Sequence, residues 1–173
     1  MNTRPYKQGY LDCLCSMYST VNALKLAGVN MTTKQAQAVM EDVVEALGAK
    51  RFTTIFTEGA DGRTMNCLFK RFNRVINRYF DVNFTIQSPY KNKRIQLDDL
   101  LSELSDKVAL IRVVGPDFDH YTVFKGVIGD RICFFDSDHL PSLPIDKTAT
   151  DKSLTYRIVT KQIYLFEVQN EKS

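Results

Sequence analysis

Apolar residues in this chain change their spacing near residue 108, and that change restricts the fold more than any single motif does. Before it, they recur mainly every three or four positions, the spacing that gathers them on one face of a helix. After it, Val108–Val114, Tyr121–Val127, Arg131–Phe135 and Gln162–Val168 are short runs rich in β-branched and aromatic residues, as strands are. Helices followed by an antiparallel sheet give an α+β layout, in which the two halves pack face to face and leave a cleft between them.

Within the helical half, Ser16–Leu26 reads as one helix ending near Gly28. A second starts after Thr32 or Thr33, either of which can cap it, carries Ala36, Met40, Val43, Val44 and Leu47, and stops at Gly48. Both read as amphipathic. Residues 58–62 (Glu-Gly-Ala-Asp-Gly) form a turn, after which Met65, Leu68, Phe69, Phe72, Val75, Ile76 and Tyr79 make the inward stripe of a third helix. Lys70, Arg71, Arg74 and Arg78 fall on its other faces and read as a solvated surface. Val82–Ile86 alternates, Ser88–Arg94 is a polar basic loop, and Gln96–Leu104 suggests a short helix with Leu97, Leu100 and Leu101 inward. Gly129-Asp130 turns the second of the later strands into the third.

At 173 residues the chain suits one domain, 1–173, because a second core would leave both halves too small. A net charge of +3 is too weak to point to nucleic acid. No apolar stretch approaches the roughly 18 residues of a membrane span, and Met1–Gln8 has no apolar signal core, so a cytoplasmic location is expected. The cysteines at 13, 15, 67 and 133 then read as reduced thiols. A single residue between Cys13 and Cys15, with no second ligand pair, does not suit zinc, and no cofactor is expected.

A thiol attacks carbonyls as its thiolate, which the unpaired amides and positive dipole end of a helix start favour. Cys15 stands at such a start, while Cys67 in a helix and Cys133 in a strand read as small buried hydrophobes. An imidazole must then take the proton, and a third polar group must hold the ring in the right tautomer. His120 opens one strand and Asp136 closes the next, so the Gly129-Asp130 turn brings those ends side by side. His139 and Asp138, in an irregular stretch before Pro141, read as solvated loop residues.

The segment from Cys15 to Leu24 resembles the helix that follows the catalytic cysteine of papain-like peptidases. His120–Val127 followed by Asp136 is similar to that family's histidine strand and its Asn or Asp partner, in the same chain order. Asp12-Cys13 also resembles the Asp-Cys of small bacterial peptidases that trim bacteriocin leaders, so Cys13 competes with Cys15 as nucleophile. The reading favours Cys15 because it lets Tyr18 and Val21 face the core.

The resemblance implies a papain-like fold with an N-terminal helical lobe on a C-terminal antiparallel sheet. It implies a Cys15–His120–Asp136 triad, in which Asp136→Asn should cost much less than His120→Ala and less than Asp136→Ala, and Gln8 as a donor to the oxyanion. Gln8 lies seven residues before Cys15, and Tyr10 or Asn22 could stand in for it. The implied reaction is hydrolysis of a peptide or isopeptide bond in a protein or peptide substrate. The same triad also serves acyltransferases and amidases, and the fold can persist as an idle binding or assembly module.

Overall fold

A computed structural model describes residues 4–7 and 14–170. It is α+β, with helices α1 (Cys15–Leu26), α2 (Thr33–Leu47), α3 (Ala49–Glu58), α4 (Gly62–Phe80) and α5 (Leu97–Leu104). The strands are β1 (Val82–Gln87), β2 (Val108–Val114), β3 (Asp119–Ile128), β4 (Arg131–Phe135), β5 (Ser142–Pro144), β6 (Thr148–Ala149) and β7 (Tyr156–Asn170). They form one sheet in the order β1-β7-β2-β3-β4-β5, antiparallel throughout that path, with β6 added parallel to β7. No helix among the described residues is long and apolar enough to cross a membrane.

The sheet is buried on both faces. Leu110, Tyr121, Val123, Phe135, Tyr164 and Phe166 share a core with α1 and α4, over which α2 packs, while Ala109, Ile111, Val113, Phe124 and Ile163 meet Leu100, Leu101 and Leu104 of α5. The helices therefore lie on both faces of the sheet. The sheet is not purely C-terminal either, because β1 joins it as an edge strand beside β7.

Thr32 caps α2 in a reciprocal box: its hydroxyl accepts from Gln35 N, and the Gln35 side chain accepts from Thr32 N. Gly48, at φ 77°, ends α2 and starts α3. Sequence periodicity missed α3, which buries only Ile55 and carries three β-branched threonines that favour helix poorly. In α4 the expected stripe is buried except Tyr79, which is 43% exposed while its neighbour Phe80 packs against the core. Arg78 pairs with Asp42, and Arg71 Nε donates to Ala46 O, so part of the basic face ties α4 to α2.

Helix α1 departs most from expectation, because nine of its residues are buried and it is not amphipathic. It lies within the helical layer, touching β2, β3, β7 and α4. Three of its small polar side chains find partners: Thr20 Oγ1 donates to Ser16 O, Ser19 Oγ to Tyr121 O, and Asn22 pairs with the backbone of Tyr6, while the Ser16 hydroxyl is buried without one among the described residues. The pairing of β4 with β3 stops at Val123↔Phe135, and Ser19 supplies a hydrogen bond to β3 beyond that point. Helix α1, which begins at Cys15, is thereby fixed to β3, which carries His120.

Candidate active site

The structure brings Cys15, His120 and Asp136 together. Cys15 is the first residue of α1, whose preceding residue, Leu14, supplies no side-chain cap, and no acidic residue lies in the first turn. His120 lies near the start of β3 and Asp136 just after β4, and all three are buried. His120 Nε2 lies 2.7 Å from Asp136 Oδ1, and the Cys15 side chain is also hydrogen-bonded to the ring. Burial alone would lower the imidazole's pKa. The hydrogen bonds and negative charges of Asp136 and Cys15 overcome that and raise it to about 10, which favours an imidazolium.

Both oxygens of Asp136 are engaged. Oδ1 faces the imidazole, and Oδ2 accepts from Asp138 N at 2.8 Å and Leu140 N at 3.1 Å. Burial would raise this carboxyl, but the His120 hydrogen bond and charge, with the Leu140 amide, hold it below its ordinary value. Asp136 is thus a fixed acceptor for the ring and also organises the 138–140 loop. An Asn at this position would have one acceptor oxygen for these two tasks.

The dyad opens into a cleft of about 460 Å³. One wall is the α3–α4 turn at Glu58, Gly59 and Ala60; the other includes Arg112, Phe118 and Tyr121. Gly115 permits the hairpin that carries Phe118, because a Cβ there would come within 2.5 Å of its ring. Phe118 also stacks on Tyr156, with ring centroids 6.0 Å apart.

Arg112 was missed by the sequence reading, although it is the single charge inside the apolar run Val108–Val114. Its guanidinium grips the Asp119 carboxylate through Nε and Nη2, and Nη1 donates to Gln162 Oε1 at 2.6 Å. Gln162 reaches that position from a bulge, since five steps along β7 from Ile158 to Ile163 oppose only two along β2.

Gln8 and Cys13 lie outside the described residues, as does Tyr10. Lys7, just before Gln8, is held at the site: its Nζ donates to Asp136 O at 3.3 Å and Asp138 O at 3.0 Å. Asn22 cannot stand in for Gln8, because its side chain is buried and bonded to Tyr6 N and O. His139 is exposed at the cleft rim, 3.7 Å from Asp138. Cys67 and Cys133 are half-buried rather than fully buried; Cys67 Sγ accepts from Arg51, and neither these nor Cys15 carries a disulfide. No group of three potential metal ligands occurs among the described residues.

No protein-family model matches the chain, and neither the curated proteins nor the solved structures include a match.

Proposed function

We propose that the protein is a papain-like cysteine hydrolase that cleaves a peptide or isopeptide bond through Cys15, His120 and Asp136. One observation carries the reading: a buried imidazole bonded on one side to a fixed carboxylate and on the other to a thiol at a helix start. Such an arrangement exceeds what the packing of a core requires.

In the reaction, Cys15 sulfur attacks the substrate carbonyl carbon as a thiolate, and the carbonyl oxygen becomes an oxyanion. The His120 imidazolium then protonates the leaving amine as the C–N bond breaks, leaving a thioester on Cys15. His120, now neutral, removes a proton from the attacking water, and collapse of the second tetrahedral species releases the acid and regenerates the ion pair. Asp136 keeps the ring oriented throughout. The Cys15 amide and Gln8 are the proposed oxyanion donors. A cytoplasmic setting, which keeps thiols reduced, suits this chemistry.

The test compares Cys15→Ala with Cys13→Ala on a mixed peptide library, with iodoacetamide labelling at pH 6 read by mass spectrometry. Cys15→Ala should abolish cleavage and the dominant label, while Cys13→Ala retains both. Activity that follows Cys13 would move the nucleophile. Equal slow labelling of all thiols with no turnover would favour an idle binding module, and product formed only with an added amine or thiol would favour a transferase.

A further inference from the structure

Beyond the α3–α4 turn lies a second pocket of about 630 Å³, lined by Arg63 of α4, Lys91 after β1, and Lys161 and Gln162 of the β7 bulge. It adjoins the cleft. Residues 58–60 wall the cleft while Asp61 and Gly62, continuing the same turn, wall the pocket. Gln162 lines the pocket and holds Arg112 of the cleft.

The two spaces differ in charge. Glu58, Asp119 and Asp138 face the cleft against Arg112 and His120, with Asp119 paired to Arg112. In the pocket Arg63, Lys91 and Lys161 oppose only Asp61, whose carboxylate already accepts from Thr64 N as the cap of α4. None of these three cations joins an ion pair among the described residues, and all are exposed. Asn66, Asn92 and Ser88 add neutral hydrogen-bonding groups around them.

Resting on the hydrolase reading, we propose that this pocket is an exosite for an acidic segment of the polypeptide substrate. The segment lies set back from the bond that is cut, because the acidic cleft disfavours carboxylates near Cys15. A polypeptide fits better than a nucleic acid on the ground of stacking rather than charge, since the adjoining groove is mixed, with Lys91, Lys93, Arg94 and Lys161 beside Asp99, Glu103 and Asp151. The pocket's one aromatic, Tyr164, is buried and offers no face for base stacking.

The test needs no turnover. A fluorescein-labelled oligoglutamate peptide is titrated into Cys15→Ala protein at low salt and followed by anisotropy. Replacing both Arg63 and Lys161 with Glu should weaken binding about tenfold or more, and replacing both with Gln should weaken it less. Lys34→Glu with Arg74→Glu makes the same change in net charge on exposed sites outside the pocket and should leave binding nearly unchanged. Equal weakening by the two charge reversals would overturn the exosite, as would binding of a single-stranded oligonucleotide as tightly as the peptide. Because binding is read on a protein unable to turn over, absence of hydrolysis in the wild type would sink the hydrolase reading and leave this result standing. Hydrolysis without peptide binding would sink the exosite alone.

Discussion

Asp136→Asn changes one atom and separates two tasks that the carboxylate performs together. The wild-type side chain accepts from His120 through Oδ1 and from the Asp138 and Leu140 amides through Oδ2. Asn has a single acceptor oxygen. If that oxygen faces the ring, its NH₂ group meets two backbone donors, each losing a partner at about 1–3 kcal/mol. A total of roughly 2–6 kcal/mol would lower the melting temperature by roughly 4–24 °C in a chain of this size. If the oxygen faces the amides, the NH₂ group meets Nε2, and a neutral ring must carry its proton on Nδ1. The nitrogen nearer the thiol then cannot accept a proton, a defect that cost about 10⁴ in turnover in a serine protease triad. Asp136→Asn should therefore lose about 10²–10⁴ in kcat/KM, lose thermal stability, or both. Calorimetry and progress curves on the wild type, Asp136→Asn and Asp136→Ala read the two effects separately. An Asn variant with the wild-type melting temperature and near-wild-type turnover would refute the reasoning.

His120 also makes stability depend on pH. Its folded-state pKa is raised from 6.5 to about 10, so its contribution is complete below about 6.5 and lost as pH rises through about 10. Thermal melts should show a wild-type advantage over His120→Gln that shrinks across this interval, and a constant difference would contradict it. Asp136 has the opposite sign: its lowered pKa gives stability that is present above the ordinary carboxylate value and lost as pH falls through the depressed one. The wild-type advantage over Asp136→Ala should therefore decay in acid. Gln8→Ala should lower kcat about a hundredfold or more with little change in KM, and a silent substitution would assign the oxyanion donor elsewhere.

Much of the architecture was legible because it rests on local signals. The threonine cap of α2, the buried stripe of α4 and the Gly129 turn each specify their element from neighbouring residues, although the choice of Thr32 and its box with Gln35 came only from the structure. His120 and Asp136 were paired by the same logic, through one hairpin. Helix α1 was misread because Ser16, Ser19, Thr20 and Asn22 look like a solvated face until residues far along the chain bury them. Asn22 became unavailable only through Tyr6, and Gln162 reaches Arg112 only through a bulge whose register no local pattern encodes. The roles of Arg112 and the α3–α4 turn depend on spatial neighbours, so the cleft walls were the least readable part of the site.

The bond from Ser19 to the edge of β3 also bears on the order of events during synthesis. Cys15 leaves the ribosome more than a hundred residues before His120, and β3 is flanked by β2, whose other neighbour, β7, is made later still. Pairings this distant along the chain form late, because closing long loops costs entropy before contacts repay it. Until then Cys15 lacks the contact with His120, and the finished sheet is the event that brings the two together. On the proposed reading, a chain stalled before β7 would be unable to turn over substrate, so activity would arrive only with the complete fold.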